Sequence, residues 1–400
     1  MSRIKRKRGD NFMSIRECAL NSTAFSKLNE VYNNRDKVVK EAKASGKKII
    51  AKLGCDVPDE LIIAGGMMPV QVCADPEKEL VNTDKYLEFS FDPMVRAQFE
   101  RIIDGTYKDL ADGLTVSNST DVIIRIFLYL REMKRVEPEK PLPDVEFIDW
   151  LFTRNLLHQT RNELIVDIYK AAVEKWAGKE ITDEMIVEAA KICNADKAAL
   201  RKIGALRHGE EVRINGSEAL VIMGSAFFMD RAEHTKLVEE IAKEAQEWPV
   251  INEPRVFFTG SNQEDTKLYD EIEAKGLVIV GEDHDWGDRM YDRDFNTAYT
   301  TKRAVVDTYM LREFSSKKAF TSQRVDALNR EVAKTGAQGV VFYMNEYEEA
   351  ASWDYPPQKK SLEAQGIKTT YFAKMKWPFV VNENIAGQLT AFANELKGGN

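Results

Sequence analysis

The chain contains no run of about 18 apolar residues, the length a membrane-crossing helix needs, so no span of a bilayer is expected. Cysteine is scarce. The four residues, Cys18, Cys55, Cys73 and Cys193, form no CxxC pair and no zinc-ligand spacing. Reduced thiols, buried or partly buried, are therefore expected, which points to the cytoplasm. A basic excess is also missing: the formal net charge is −8. That argues against nucleic acid as a partner, because such binders carry a positive surface. The one basic run, Arg3 to Arg8, lies at the extreme N-terminus. It reads as a solvated tail, with a phosphate or partner contact as the alternative. No apolar core follows it, so it does not read as a secretory signal. Neither GxGxxG nor GxxxxGK(S/T) occurs, and Gly65-Gly66 reads as a helix end before a phosphate cradle. His158, His208 and His234 have no partners at ligand spacing and read as structural.

What is present is ordinary for a globular protein of two or three packed units: 400 residues, 44% hydrophobic and 30% charged. Lys48–Leu53 reads as a buried strand. Asp56-Val57-Pro58-Asp59-Glu60 then supplies a cap, a proline and acidic residues for a helix ending at Gly65-Gly66. A strand at Pro69–Cys73 follows, then a helix opened by Asp92-Pro93, a strand at Leu114–Ser117 and a helix over Ser119–Lys134. From Asp149 to about Trp248 the pattern is mainly helical, with Thr182-Asp183-Glu184 starting an amphipathic helix over Ile186, Val187, Ala190 and Ile192. Strand signals return at Arg255–Thr259, Leu277–Val280, Gly339–Tyr343 and Thr369–Phe372, and a last helix at Ile385–Leu396. The fold class expected is α/β, with two doubly wound parallel-sheet domains and a helical middle segment. The boundaries read as an N-terminal tail and helix at 1–44, a first α/β domain at 45–150, the helical segment at 151–250 and a second α/β domain at 251–400. Ligands in such sheets settle at the carboxyl ends of strands, so the loops there are where chemistry is sought.

Four blocks carry a resemblance. CDVPDELIIAGGMMPVQVC (Cys55 to Cys73) is similar to "VPEELIxAAGMxPV". FDPMVRAQFERIIDGTYKDLADGLTVSNSTDVIIR (Phe91 to Arg125) follows a pattern in which Cys-Pro opens a helix and a strand ends at Cys-Asp. VIVGEDHDWGDRMY (Val278 to Tyr291) resembles an acidic loop with a cluster cysteine and a following arginine. WDYPPQKKSLEAQGI (Trp353 to Ile367) resembles "WxYPxLKKALEExGI". In this order they identify the chain, over roughly residues 45 to 396, as a member of the 2-hydroxyacyl-CoA dehydratase and benzoyl-CoA reductase subunit family. The resemblance implies flavodoxin-like or Rossmann-like domains and a [4Fe-4S] cluster held by cysteines at three loop ends. It also implies a related partner subunit, an ATP-dependent activator that injects an electron, and a ketyl radical formed on the acyl-CoA thioester.

This sequence departs from the family at the cluster. Asp92 stands at the Cys-Pro position, Thr120 at the Cys-Asp position, and His284 or Asp285 at the third, with a one-residue register left open. A further position near the last strand falls around Tyr347 and Glu348. Clusters need soft thiolates, and carboxylate, hydroxyl and imidazole are harder donors. No cofactor is assured in this chain, and the [4Fe-4S] group is expected on a partner.

Several readings of the altered pocket stay open. Asp92, Thr120, His284 or Asp285, and Glu346 or Glu348, could line a vestigial site of hydrogen-bonded polar groups. They could instead form an acid–base pocket, with His284, Asp285 and Asp92 as candidate catalytic residues. They could also hold Mg²⁺, Mn²⁺, Zn²⁺ or non-haem iron. Arg96, Arg125 and Arg289 are the candidates for an anionic substrate, ahead of the basic stretch Arg201 to Arg213. The expected function is a cluster-free subunit of a heteromeric lyase of the dehydratase type, or of a related acyl-CoA reductase, in anaerobic metabolism. The alternatives are a stand-alone enzyme using acid–base or metal chemistry on an acyl-CoA, and a non-catalytic assembly subunit.

Overall fold

The computed structural model describes residues 14–299, 301–312 and 319–398. The basic run Arg3 to Arg8 lies outside them. Two four-stranded, all-parallel sheets stand among many helices. The first is built from β1 (Ile49–Leu53), β2 (Met68–Gln71), β3 (Gly113–Ser117) and β4 (Val145–Ile148), in the order β2-β1-β3-β4. The second repeats that order with β5 (Arg255–Gly260), β6 (Val278–Glu282), β7 (Gly339–Asn345) and β8 (Lys368–Met375), arranged β6-β5-β7-β8. This is the α/β, doubly wound architecture that the strand–helix alternation implies.

The central strands are largely apolar because helices cover both of their faces. Every residue of the central strands β1, β3 and β7 is buried, and so is every residue of the edge strand β6. The edge strand β4 is different: Val145, Glu146 and Phe147 are half-buried and only Ile148 is buried. Glu146 interrupts the apolar Val145, Phe147 and Ile148, and four residues are too short a pattern for a strand to be expected there from sequence.

The helical middle joins the two sheets. Helix Asp183–His208 is capped at its start by Thr182, whose hydroxyl accepts the amide hydrogen of Met185. It buries Ile186, Ala189 and Ala190 with the first unit's Ile50 and Leu61. At its far end it buries Arg207, which donates to Glu282 at the end of β6. Helix Gly216–Ser225 is apolar and buried all round, as expected of a helix enclosed by its neighbours. One continuous hydrophobic cluster includes Ala51, Phe99 and Val116 of the first unit and Phe258, Ile279 and Val341 of the second. The two sheets therefore share a core, and their carboxyl edges are fixed relative to one another.

Candidate functional site

In both sheets the strand order reverses beside the first strand, between β1 and β3 and between β5 and β7. Such reversals open a crevice at the carboxyl ends. Loops from both sheets wall one cavity of about 130 Å³, with Cys55 and Asp56 after β1, Thr120 after β3, Asn262 after β5 and Asp285 after β6. Met94, Val95, Leu200, Phe227 and Trp286 give it an apolar side.

The loop after β1 is pinned at three consecutive carbonyls. Gln71 Nε2 donates to Gly54 O at 3.1 Å, the Ser117 hydroxyl donates to Cys55 O, and Trp150 Nε1 donates to Asp56 O at 2.7 Å. The sharp turn needs left-handed backbone at Gly54 (φ +89°) and at Asp56 (φ +60°). Asp tolerates that conformation better than most residues do. It also places the Asp56 carboxylate between two arginines, with Arg289 Nη2 at 3.0 Å and Arg312 Nη1 at 3.1 Å. Arg289 further donates to Asp285 at 2.9 Å, and Arg312 to Asp292 at 3.1 Å. Burial alone would lower the Arg289 pKa, but Asp56, Cys55 and Asp285 around it raise it well above its ordinary value.

A second charged network forms another part of the wall. Asp59 accepts from Lys52 at 2.5 Å and from Arg231 at 2.9 Å. Arg231 reaches Asp196 at 3.3 Å, and His234 Nδ1 lies 2.5 Å from the same carboxylate. Tyr309 donates to Glu60 at 2.6 Å, with Lys197 3.4 Å from the other oxygen. Burial pushes Asp59 up, yet Lys52 and Arg231 outweigh it and hold the carboxyl below its usual range. Across the cavity wall five cations (Lys52, Lys197, Arg231, Arg289, Arg312) face five carboxylates (Asp56, Asp59, Glu60, Asp196, Asp285). This balance gives the wall no net pull on either sign of charge.

Similarity to known proteins decides the family. The model of the 2-hydroxyglutaryl-CoA dehydratase D-component family matches residues 55–394. The chain belongs to that family. It is 25% identical to the (R)-phenyllactyl-CoA dehydratase beta subunit of Clostridium sporogenes over 349 residues, covering 86% of this chain and 91% of that one. The (R)-2-hydroxyglutaryl-CoA dehydratase subunit beta of Acidaminococcus fermentans is also 25% identical, with 81% and 86% covered. A benzoyl-CoA reductase subunit of Thauera aromatica is 23% identical, with 76% and 79% covered.

Membership of the dehydratase family brings the cluster question to the loop ends. Asp92 is the N-cap of helix Pro93–Ile103, and its Oδ1 accepts from Met94 N at 2.8 Å and Val95 N at 3.4 Å. Thr120 is the N-cap of helix Asp121–Val136, and its hydroxyl accepts from Ile123 N at 3.2 Å. Asp and Thr are strong capping residues, so both side chains satisfy helix ends. Asp285 lines the cavity and is ion-paired to Arg289. His284 is not among the lining residues. Its Nδ1 accepts from Trp286 N at 3.2 Å, its Nε2 meets the Tyr269 hydroxyl at 2.8 Å, and Phe258 packs edge-on to the ring. Among the described residues no group of three His, Cys, Asp or Glu side chains converges in a way that could hold a metal ion. The donors at these loop ends do not fit an iron–sulfur cluster, which needs thiolates.

The remaining candidates lie apart from the cavity, except one. Arg289 lines it. Arg96 is buried, tying down Asp84 and the carbonyls of Leu87 and Glu88. Arg125 is exposed on its helix, 3.3 Å from Asp121 and over the Phe91 ring. Glu346 bonds through its amide to Met375 O, and Glu348 precedes helix Glu349–Glu363. In the stretch Arg201 to Arg213, Arg207 is fully buried between Glu282 and Asp288, while Arg201 and Lys202 stay at the surface, paired with Asp294 and Glu239. Sequence reasoning passed over Asp56, which it read as part of a helix start, and Arg231 and Arg312, which carry no local signal. The two left-handed positions around Cys55 were the only available hint, through Gly54.

Proposed function

We propose that this chain is a cluster-free subunit of a heteromeric 2-hydroxyacyl-CoA dehydratase or benzoyl-CoA reductase-like enzyme, pairing with a homologous subunit that holds a [4Fe-4S] cluster. The observation that supports it most is the commitment of all three replaced positions. Asp92 and Thr120 close helix ends; at the third position Asp285 closes an ion pair and His284 bonds Tyr269 and Trp286. Soft thiolates are what a cluster requires, and these groups are neither soft nor disengaged. The relatives are themselves named as subunits of dehydratases and of a reductase.

In this reading the chain's own residues bind and orient an acyl-CoA at the carboxyl edges of the two sheets. The apolar side formed by Met94, Val95, Leu200 and Phe227 takes the acyl chain and keeps water from it. The balanced ion pairs hold the loops rigid, so that the thioester is presented in one orientation. An ATP-dependent activator acts on the partner, and the complex works in the cytoplasm. Among the described residues no helix is long and apolar enough to cross a membrane.

The test is co-purification of the tagged chain from its native host under anaerobic conditions, with iron and acid-labile sulfide counted per polypeptide. A homologous subunit with all the iron bound to it, and this chain colourless alone, is the expected result. Stoichiometric iron and sulfide in the isolated chain would defeat the proposal.

A further inference from the structure

The loop after β1 carries a thiol into the cavity. Cys55 is half-buried and lines it, on the segment whose three carbonyls are pinned by Gln71, Ser117 and Trp150. Its Sγ donates to Asp56 Oδ2 at 3.4 Å, the same oxygen that Arg289 Nη2 holds at 3.1 Å. The thiol therefore has an acceptor for its proton, with a guanidinium on the same carboxylate oxygen, and cysteine is intrinsically a strong nucleophile once that proton leaves.

A second, independent feature points to a ligand at the same place. Ser119 is 5% exposed and lines the cavity, and its hydroxyl has no hydrogen-bond partner among the described residues. Buried hydroxyls rarely go unpaired, and an orphan beside a cavity calls for an explanation. The hydroxyl presses on the residue before the thiol: a Cβ built on Gly54 would lie 2.2 Å from Ser119 Oγ. An unpaired O–H donor in the wall of the cavity that the thiol lines is the kind of group that receives the oxygen of a tetrahedral intermediate.

We infer that Cys55 is an acyl-accepting nucleophile for CoA thioesters, with Ser119 as the donor to the developing oxyanion. This rests on the reading that the cavity takes an acyl-CoA. In the step, Cys55 Sγ bonds to the thioester carbonyl carbon, whose oxygen takes the negative charge opposite the Ser119 hydroxyl. The carbon–sulfur bond to CoA then breaks, and the electron pair leaves with the CoA sulfur. The Cys55 proton departs along its contact to Asp56 and ends on that sulfur. One thioester replaces another, and nothing is oxidised or reduced. The cavity, at about 130 Å³, has room for a short acyl group and not for CoA itself, so the nucleotide portion stays outside.

The experiment incubates the purified full chain with lactoyl-CoA and reads intact mass, with equilibrium binding of lactoyl-CoA measured in parallel. One lactoyl group per chain is expected, mapped to Cys55, removed by hydroxylamine and absent from Cys55→Ala. Ser119→Ala should slow acylation by roughly 100-fold while leaving the rate of Cys55 alkylation by iodoacetamide within about twofold. That split separates an oxyanion donor from a residue that merely holds the loop. Lactoyl-CoA that binds without acylating Cys55, or that labels the half-buried Cys18 instead, overturns the inference and spares the acyl-CoA reading. No binding at all overturns both.

Discussion

Arg289 Nη2 lies 3.0 Å from Asp56 Oδ1, so that the loop after β6 and the loop after β1 meet in an ion pair across the shared cavity. Both side chains are almost wholly buried, at 5% and 0% exposure. A buried carboxylate that answers two arginines is costly to remove, because both cations lose their compensation together. Asp56→Asn should lower stability by about 3 kcal/mol. Asp56→Ala should cost roughly 1 kcal/mol more, because Asn accepts the left-handed backbone and Ala does not. Denaturant midpoints of the two variants check both the size and the order. Equal losses would mean that backbone conformation contributes nothing at this turn.

The positions proposed to match the family's cluster cysteines can be tested by placing sulfur there. A triple variant Asp92→Cys, Thr120→Cys and Asp285→Cys should take up iron and sulfide on anaerobic reconstitution, with visible absorption that the parent lacks. Substituting His284→Cys in place of Asp285→Cys should fail, because the position-284 side chain is enclosed by Tyr269, Trp286 and Phe258. The single variants Asp92→Ala and Thr120→Ala should each cost about 1 kcal/mol as lost helix caps. Uptake by the His284 version, measured as iron per chain, would reverse the register.

Glu264 sets a pH dependence. It lies after β5 yet accepts from Ala74 N at 2.7 Å and from Gln98 Nε2 at 2.6 Å, both in the first unit. Burial pushes its pKa up to about 7, against partial relief from Arg35 and these hydrogen bonds. The folded carboxyl thus holds its proton over a range where the unfolded one, near 4.5, has lost it. Its contribution is full below about pH 4.5 and is lost as pH rises towards 7. Glu264→Gln cannot ionise, so its melting temperature relative to the parent should climb from about pH 5 to about pH 8. A constant difference over that range would show that Glu264 does not titrate between the folded and unfolded states as described.

Much of this fold is legible in the order of the amino acids. β1, β3 and β7 announce themselves because strands covered on both faces are mostly apolar, and Asp92-Pro93 announces a helix start by its capping chemistry. β4 does not, since its four residues, interrupted by the half-exposed Glu146, make too short a pattern. The site is less legible. His284 and Asp285 are neighbours in the chain, and only the packing of Trp286 and Tyr269 shows which one meets the cavity. Arg231 and Asp59 are 172 residues apart, and a charge destined for burial looks in sequence like any surface charge.

Gly54 joins the fold to the proposed chemistry, and it yields the last expectation. Its φ of +89° disfavours any side chain, and a Cβ there would come within 2.6 Å of Ser117 Oγ as well as 2.2 Å of Ser119 Oγ. Gly54→Ala should therefore destabilise the chain by roughly 1–3 kcal/mol. It should also shift the loop that carries Cys55. Adding Ser119→Gly removes one clash and leaves both the backbone strain and the Ser117 contact, so it should restore only part of the loss. Thermal midpoints of the single and double variants, read alongside iodoacetamide reactivity at Cys55, measure the two effects separately. Full rescue by Ser119→Gly would mean that the Ser119 hydroxyl alone demands glycine at this turn.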